Sequence, residues 1–474
     1  MTFARTAYVD GHWVDRDTHF DVRDPYDGAL IAEVTDSDDA LVDQAIDAAA
    51  RAFPAWRDQP GPARGKLLAQ VAQRMLADEA RLAELCTLEN GKTLAESAGE
   101  VRYAASFLSW FAGEAERMYG ETIPASQPGQ RLVVVREPVG PCALITPWNF
   151  PLAMLTRKLG PALAAGCTVV AKPAEQTPLS ALAIAEIAHA VGVPAGVLNI
   201  VPSADGARTG ARFTGSPRIK KLSFTGSTNV GRILLRACAE DIKRVSLELG
   251  GNAPFVVFAD ADLDAALHGA LVAKFRNAGQ SCVAANRFIL EAPIAGAFTD
   301  QLVAAVAKLR AGRGSDDGVD VGPVIDDRAV KKIAQLVRDA VDRGARLLHG
   351  APPEGGSRVI APIVLGDVTR EMAIWREEIF GPVVTLRTAR DEADAIAQAN
   401  DTDAGLVAYF YSRDAARQAR VAAALEAGMI GINEGLVSTA QAPFGGVKHS
   451  GLGREGSRHG LDDYTHLKYM ACRS

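Results

Sequence analysis

Between residues 142 and 247 the chain alternates short apolar runs with longer segments of helical periodicity, and this alternation constrains the fold more than any other feature. The predicted strands are 143–146, 168–172, 197–201, 220–224 and 245–247, and the predicted helices are 152–165, 179–191 and 230–239. This strand–helix–strand order predicts a mainly parallel sheet covered by helices on both faces. Sheets of this kind bind nucleotides at the carboxyl ends of their strands.

The rest of the chain adds a second α/β unit and an irregular region. The second unit is predicted from residue 251 to about residue 433. Ahead of the first sheet the chain reads as mainly helical, with helices at 37–56 and 67–86, until a β-rich run at 131–136. A short strand at 464–469 is expected to join another sheet, for which a sheet of a partner subunit is one candidate.

Composition and charge exclude several classes of function. With 474 residues the chain is expected to form two or three domains. Its 51 basic and 57 acidic residues give a net charge of -6, without a long basic run, which argues against nucleic acid or an anionic membrane as the main partner. No apolar run approaches the ~20 residues of a membrane span.

The six cysteines are scattered, without a C-x-x-C pair or metal-ligand spacing. This usage predicts a reducing compartment and neither a disulfide framework nor a metal site. The first thirteen residues contain no apolar segment typical of a secretory signal. We therefore expect a cytoplasmic protein.

One cysteine and one carboxylate stand in unusual surroundings. Cys282 follows a glycine-containing loop, and Glu248 closes an apolar run just ahead of two glycines. A thiol and a carboxylate placed in this way suit the nucleophile and the base of a covalent mechanism. Taken alone, a single cysteine such as Cys282 is more often an inert buried thiol.

Two segments favour a dinucleotide. Residues 224–231 contain Gly226, Ser227 and Gly231 at a predicted strand-to-helix turn, where free backbone N–H groups suit a pyrophosphate, although an ordinary helix cap has the same pattern. Lys172 and Glu175 follow a predicted strand and could hold a ribose, or could form a surface ion pair. A carboxylate there would repel a 2′-phosphate, which favours NAD over NADP.

A third segment, residues 147–151, holds Asn149 between two prolines at the end of a predicted strand. A rigid backbone with a side-chain amide donor fits the stabilisation of an oxyanion. The alternative is a structural turn with Trp148 as a core aromatic residue.

Together these segments resemble the aldehyde dehydrogenase superfamily in motif, order and spacing, over essentially the whole chain. The motifs that carry the resemblance are residues 147–149, 226–231, 248–251, 279–282, 378–382 and 443–446. The resemblance implies an α/β fold with two parallel-sheet domains, a Rossmann-like NAD domain and a catalytic domain, and a small β oligomerisation arm. It also implies a homodimer or homotetramer.

The resemblance also implies the domain limits. The NAD-binding domain would comprise residues 1–120 and 138–250, with 435–455 returning to it. The catalytic domain would comprise 251–434, and the oligomerisation arm 121–137 and 456–474.

The resemblance assigns roles residue by residue. Cys282 would be the nucleophile, Asn149 its oxyanion donor and Glu248 the general base. The cofactor would be bound by Thr146, Pro147, Trp148, Lys172, Glu175, Gly226, Ser227, Gly231, Leu249, Glu378 and Phe380. In the implied reaction Cys282 attacks an aldehyde, a hydride passes to the nicotinamide, and water activated by Glu248 hydrolyses the thioester.

Three further segments, residues 154–158, 274–277 and 435–438, resemble the succinate-semialdehyde dehydrogenase subgroup. By that resemblance Arg157, Arg276 and Ser438 would bind the carboxylate at the far end of a short semialdehyde. Guanidinium groups and a hydroxyl suit a carboxylate. The alternative is that one or both arginines form structural ion pairs.

Other functions remain open at this stage. A glutarate semialdehyde, one methylene longer, is hard to exclude because a methylene contributes only ~1–3 kcal/mol of discrimination. An aromatic or aliphatic aldehyde would be a rival substrate, and NADP a rival cofactor. A non-catalytic structural or binding protein of the same fold is the alternative from another class.

Overall fold

The predicted strand–helix alternation forms an eight-stranded sheet in the computed structural model, which describes residues 3–473. The strands are β1 (Ala7–Val9), β2 (His12–Val14), β3 (His19–Arg23), β4 (Leu30–Thr35), β5 (Glu121–Ile123), β6 (Gln130–Pro138), β7 (Cys142–Ile145), β8 (Val169–Lys172), β9 (Leu198–Ile200), β10 (Lys221–Thr225), β11 (Arg244–Glu248), β12 (Ala253–Val257), β13 (Ala285–Glu291), β14 (Arg346–His349), β15 (Ile363–Gly366), β16 (Val383–Ala389), β17 (Ala404–Gly405), β18 (Val407–Tyr411), β19 (Met429–Ile432), β20 (Val447–Lys448), β21 (Gly451–Leu452) and β22 (Thr465–Arg473).

The helices connect these strands and cover the sheets. They are α1 (Asp39–Arg57), α2 (Gly61–Ala77), α3 (Glu79–Asn90), α4 (Leu94–Glu116), α5 (Pro151–Ala165), α6 (Pro178–Ala190), α7 (Gly206–Gly215), α8 (Thr228–Ala239), α9 (Leu263–Phe275), α10 (Ala295–Val306), α11 (Asp327–Asp342), α12 (Ala373–Arg376), α13 (Glu392–Asn400) and α14 (Ala415–Ala424). No helix within residues 3–473 is both long enough and apolar enough to cross a membrane.

The first sheet has the order β2-β1-β9-β8-β7-β10-β11-β21, and its five central strands are parallel. Along the chain the order runs outward from β7 to β9 and then reverses to β10 and β11. The reversal leaves a crevice at the carboxyl ends of β7 and β10, where open α/β sheets bind ligands. The segments after these two strands are the predicted Asn149 and Ser227 motifs.

The second sheet has the order β14-β15-β16-β13-β12-β18-β19 and is parallel except at β14. It carries a separate apolar core in which Trp375 is fully buried. The predicted fold class, an α/β protein with two parallel-sheet units, is therefore confirmed.

A third, three-stranded sheet is formed by β5, β6 and β22. Its strand β22 pairs antiparallel with β6 over nine positions, from Thr465 opposite Pro138 to Arg473 opposite Gln130. The C-terminal strand therefore joins a sheet of its own chain, whereas a partner subunit was the other candidate. The sequence could not show that β22 pairs with β6, because the two strands lie more than 300 positions apart and hydrogen bonding between them leaves no local pattern.

The N-terminal third differs from the sequence prediction. Residues 7–35 form the four strands β1 to β4, and the prediction of a mainly helical region missed them. The helix predicted at 67–86 is broken, because Asp78 ends α2 and precedes α3 with a backbone of φ -107° and ψ 20°. Helix α4 in this region, and helix α7 further along the chain, were also not predicted from the sequence.

Candidate active site

A cavity of about 340 Å³ lies between the two parallel sheets and brings most of the predicted motifs together. Three of its walls come from the segments after β7, β10 and β11, and a fourth comes from the loop ahead of β13. Its lining includes Pro147, Trp148, Asn149, Gly226, Ser227, Glu248, Leu249, Cys282, Glu378 and Phe380. Residues from five separate sequence motifs therefore meet in one place.

The backbone of Asn149 is held by buried donors. The Lys92 ammonium donates to its carbonyl oxygen at 2.7 Å, and the Asn277 side-chain amide donates to the same oxygen at 2.8 Å. Its own side-chain Nδ2 donates to the carbonyl of Gln280 at 3.1 Å, while Oδ1 is buried without a partner. Because an amide carries two N–H donors, one remains for an oxyanion.

The loop ahead of Cys282 has a strained backbone. Asn277 and Ala278 have φ angles of 53° and 54°, and Gly279 follows at 73°. A non-glycine residue in this region costs ~1–3 kcal/mol and persists only where the surroundings enforce it. Here Glu96 accepts from the Asn277 N–H at 2.7 Å, which fixes the turn that presents Cys282.

Cys282 is partly buried, and burial raises the pKa of its thiol to about 12, with the positive charge of Arg157 acting in the opposite direction. The thiol is therefore protonated at neutral pH in the protein alone. Its carbonyl oxygen lies so close to Gly251 that a Cβ there would come within 2.2 Å. A glycine is thus required where the Glu248 segment contacts the Cys282 loop.

Glu248 is 2% exposed, and burial raises its pKa well above the usual range, reinforced by the nearby Glu455 carboxylate. The charges of Arg157 and Lys158 act in the opposite direction. Its Oε2 is buried without a hydrogen-bond partner among residues 3–473. A carboxyl group with a raised pKa is a stronger proton acceptor than an exposed one. We call Cys282, Glu248 and Asn149 the reactive end of the cavity.

The predicted nicotinamide-side residues also face the cavity. Glu378 Oε1 accepts from the Gly251 N–H at 2.9 Å, and burial raises the pKa of this carboxyl to about 7. Phe380 has a φ of 57° and meets the Trp148 ring edge-on at 5.4 Å between centroids. Glu378 and Phe380 thus form part of the cavity wall, with the Phe380 ring in contact with Trp148.

At the strand ends of the first sheet the remaining cofactor candidates have ordinary structural contacts as well. Ser227 is the N-cap of α8, where its hydroxyl accepts from the Val230 N–H at 3.4 Å. Leu249 packs on Gly231 so closely that a Cβ on that glycine would lie 2.5 Å from a Leu249 methyl carbon. Both predicted interpretations of this segment, the helix cap and the open backbone, are compatible with this geometry.

Lys172 and Glu175 lie at the end of β8, with Nζ and Oε2 3.5 Å apart. Lys172 is buried, and burial lowers the pKa of its ammonium, whereas Glu175 is exposed enough to reach a ligand. Thr146, also buried, ties the two strand ends together because its N–H donates to the carbonyl of Lys172 at 3.2 Å. Neither Lys172 nor Glu175 lines the 340 Å³ cavity.

Arg157 forms an ion pair deep in the structure. Its Nη2 lies 2.8 Å from Oε2 of Glu455, and its guanidinium stacks 3.8 Å from the centroid of the Phe444 ring. Burial lowers the pKa of the Arg157 guanidinium, but Glu455, together with smaller contributions from Tyr103, Glu248 and Cys282, outweighs burial and raises the pKa overall. The structural ion pair considered as the alternative interpretation is therefore present for Arg157.

Arg276 is different. Its guanidinium lies 4.6 Å from the centroid of the Phe150 ring, and within residues 3–473 it has no carboxylate within 4 Å. Arg157, Arg276 and Ser438 all act on one neighbouring side chain, Tyr103, whose pKa they lower against the effect of burial. We call these four residues the cationic end of the site.

Sequence reasoning missed the residues that hold the site from outside its motifs. Glu100 accepts from the N–H groups of Leu152 and Ala153 at 2.9 and 3.2 Å and also pairs with Lys92. Glu455 joins Arg157 to Lys158. A charged residue within a buried helical stretch, as at Lys158, was the only local signal that could have pointed to them.

The fold and the cavity define a two-domain α/β protein with a cysteine, an amide and a carboxylate at the sheet edge. The chain belongs to the aldehyde dehydrogenase family, whose model matches residues 13–470. It is an oxidoreductase of that family, as the sequence motifs predicted.

Individual relatives are similar over nearly their whole length. The chain is 52% identical over 471 residues to succinate-semialdehyde dehydrogenase (NADP(+)) GabD of Escherichia coli (strain K12), covering 99% of this chain and 98% of the relative. It is 51% identical over 470 residues to glutarate-semialdehyde dehydrogenase of Pseudomonas putida, covering 99% and 98%. The crystal structure of succinate-semialdehyde dehydrogenase from Burkholderia pseudomallei matches with a TM-score of 0.98 and 48% identity, covering 100% of this chain and 98% of that one.

Proposed function

We propose that the protein oxidises a short aldehyde that ends in a carboxylate, with succinate semialdehyde as the first candidate and glutarate semialdehyde as the second. The observation that carries this proposal is Arg276, a guanidinium without an anionic partner in the described residues and close to the cysteine loop. Arg276 is only partly buried, and a guanidinium that water can reach is able to form charge-assisted hydrogen bonds with a carboxylate that enters the site. The names of relatives that are about half identical support both candidates.

In the proposed reaction the Cys282 thiol first loses its proton to water in the cavity. Its Sγ then forms a bond to the aldehyde carbon, and the electron pair of the carbonyl bond moves to the aldehyde oxygen. The negative charge that develops on the aldehyde oxygen is stabilised by the free N–H of the Asn149 amide, together with the Cys282 backbone N–H. Asn149 suits this role because its backbone is fixed by Lys92 and Asn277 before substrate arrives. Preorganised donors of this kind cost no reorganisation during the reaction.

Glu248 completes the cycle as a general base. Once the carbon is at the oxidation level of a thioester, Glu248 removes a proton from water, and the resulting hydroxide adds to the carbonyl and releases Cys282. Burial and Glu455 raise its pKa well above the usual range, which makes its carboxylate a stronger proton acceptor than an ordinary glutamate. Arg157 and Lys158 keep the charged form accessible.

The cofactor proposed is NAD(P), which accepts the hydride when it is bound. The site fits a dinucleotide because the cavity begins at the switch point between β7 and β10 and ends at Cys282. Glu378 Oε1 is held by Gly251, which leaves Oε2 for a ribose hydroxyl. Ser227 and Gly226 would bind the pyrophosphate, and Lys172 and Glu175 the adenosine ribose.

NAD is proposed as the preferred form. Glu175 is exposed at the end of β8, and its carboxylate would repel a 2′-phosphate. Lys172 lies only 3.5 Å away and would partly offset that repulsion. A relative at 52% identity is named for NADP(+), so the preference needs a direct test.

We further propose the assembly, domain limits and location. Residues 1–120, 138–250 and 435–455 would bind the cofactor and 251–434 would carry the nucleophile, although β20 in 435–455 pairs with β17 of the second unit. Residues 121–137 and 456–474 would mediate a homodimer or homotetramer, since Leu467 and Tyr469 on β22 are exposed. The location proposed is the cytoplasm, without nucleic-acid or membrane partners.

The experiment that tests the proposed function is NADH formation with succinate semialdehyde, glutarate semialdehyde, benzaldehyde and hexanal at equal concentrations. The proposal expects kcat/KM to be highest for one of the two semialdehydes. A preference for hexanal or benzaldehyde would contradict it. Measuring the preferred reaction with NADP in place of NAD tests whether Glu175 disfavours the 2′-phosphate. Equal kcat/KM values with the two cofactors would refute the NAD preference.

A further inference from the structure

Tyr103 presents a buried hydroxyl that nothing in the fold uses. It lies on α4, and its ring meets Phe107 edge-on at 4.9 Å between centroids. Its hydroxyl oxygen is buried and has no hydrogen-bond partner within residues 3–473. Leaving a buried polar group unpaired costs ~1–3 kcal/mol, so such a group calls for an explanation.

The hydroxyl lies among the three residues that the sequence assigned to the substrate carboxylate. Phe107, on which the Tyr103 ring packs, also carries the Arg157 guanidinium at 5.7 Å from its centroid. Burial raises the pKa of Tyr103, and Arg157, Arg276 and the Ser438 hydroxyl lie close enough to act in the opposite direction, although the Tyr103 hydroxyl has no hydrogen-bond partner in the described residues. The Tyr103 hydroxyl thus belongs to the cationic end.

The guanidinium groups of Arg157 and Arg276 differ in how far their charge is already paired within the protein. Arg157 is paired with Glu455 at 2.8 Å, so much of its charge is already neutralised. Arg276 has no carboxylate within 4 Å in the described part of the chain, so its whole charge is available to bind a substrate anion. One guanidinium cannot satisfy every lone pair of a carboxylate, which accepts about four hydrogen bonds. A neutral O–H donor beside Arg276 would satisfy another at no cost in charge.

We propose that the Tyr103 hydroxyl donates a hydrogen bond to the substrate carboxylate and, together with Arg276, makes the enzyme select aldehydes that carry one. This inference rests on the proposed function and deepens it. An aldehyde with a methyl group at the same end would offer the hydroxyl no acceptor. Sites that hydrogen-bond a substrate group reject analogues that lack the group.

A second tyrosine provides a matched control. Tyr409 is also buried and lies close enough to Arg276 and Cys282 for both to affect its pKa, but its hydroxyl donates to the carbonyl of Val283 at 2.9 Å. Removing that hydroxyl breaks an existing hydrogen bond, whereas removing the Tyr103 hydroxyl breaks none. A third tyrosine, Tyr119, is 71% exposed and serves as the surface control.

The test compares Tyr103→Phe, Tyr409→Phe and Tyr119→Phe with the parent protein. The substrates are succinate semialdehyde and butanal, which has the same number of carbons and no carboxylate, and thermal melting is measured in parallel. For Tyr103→Phe we expect kcat/KM for succinate semialdehyde to fall about 10- to 100-fold, mainly through KM, because a hydrogen bond to a charged group is lost. Butanal turnover should be unchanged, and the melting temperature should not fall.

The controls should behave differently. Tyr409→Phe should lower the melting temperature and leave the ratio of the two kcat/KM values unchanged, and Tyr119→Phe should change neither. A Tyr103→Phe variant that loses both substrates equally, or keeps the parent's ratio, would overturn the role of Tyr103 alone. A parent enzyme that oxidises butanal as well as succinate semialdehyde would contradict both this role and the proposed carboxylated substrate.

Discussion

The reactive end and the cationic end of the site are built on opposite principles. At the reactive end burial raises the pKa of Cys282 and of Glu248, and Asn149 is fixed through its backbone. At the cationic end two guanidiniums lie beside aromatic rings, one paired with Glu455 and the other without a carboxylate in the described residues. We therefore expect the reactive end to carry out the proposed oxidation and the cationic end to determine which aldehyde is accepted.

Arg157 connects the two ends. It acts on the pKa of Cys282, of Glu248 and of Tyr103, in each case against the effect of burial. A residue in this position can influence reactivity and selectivity together. Arg276, by contrast, has no such effect on the pKa of Cys282 or Glu248, so substitutions of the two arginines should have different consequences.

The largest effect is expected for Cys282→Ser, which replaces the nucleophilic sulfur. We expect NADH formation to fall by at least ~10⁴-fold with every aldehyde, since loss of a nucleophile removes the covalent step. Cys472→Ser, at an exposed position, is the matched control and should retain parental rates. Residual activity within tenfold of the parent would show that Cys282 does not form the bond to the aldehyde.

The next largest effect on the rate is expected for Asn149→Ala. Removing one oxyanion donor typically lowers kcat by ~10²–10³-fold, and the loss should be similar for succinate semialdehyde and butanal because the oxyanion is common to both. Steady-state kinetics with both substrates checks this expectation. A loss of activity confined to succinate semialdehyde would contradict the role of Asn149 as an oxyanion donor. It would indicate instead that Asn149 acts on the substrate carboxylate.

Arg157→Gln and Arg276→Gln should differ in stability. The first leaves the buried Glu455 with Lys158 but without its guanidinium partner, and we expect a destabilisation of about 3 kcal/mol. The second breaks no ion pair and should change the unfolding free energy by less than ~1 kcal/mol. Urea unfolding of both variants measures the difference. Equal destabilisation would contradict the unequal pairing of the two arginines.

A further prediction concerns the pH dependence of Cys282 reactivity. Because burial raises the pKa of Cys282 to about 12, the thiolate fraction increases about tenfold per pH unit below that value. In the absence of cofactor, alkylation of Cys282 by iodoacetamide should therefore rise steadily from pH 7 to pH 10. Peptide mass spectrometry measures the rate at this cysteine separately from the others. A plateau near pH 8 would show that the thiol is already activated in the protein alone.

Local patterns in the sequence were sufficient for the parallel sheets and for the motifs that end their strands. Asn149, Ser227 and Glu248 each lie directly after or at the end of a predicted strand, so their convergence follows from strand direction. The N-terminal strands were missed because β1 and β2 are only three residues each, too short for a clear alternation.

The contacts that distinguish the two ends could not be predicted in this way. Lys158 and Glu455 meet although they lie 297 positions apart, and the pairing of Arg157 depends on the same long-range packing. From sequence, Arg157 and Arg276 looked equivalent. The fold, by supplying Glu455 to only one of them, makes them different.

The most direct test of the central claim is the ratio of kcat/KM for succinate semialdehyde to that for butanal, measured in the parent and in Arg276→Gln. If Arg276 binds the substrate carboxylate, the parent ratio should exceed ~10² and should fall at least tenfold in the variant, with butanal turnover preserved. An unchanged ratio in the variant would contradict the account, because the unpaired guanidinium would then have no part in selecting the aldehyde.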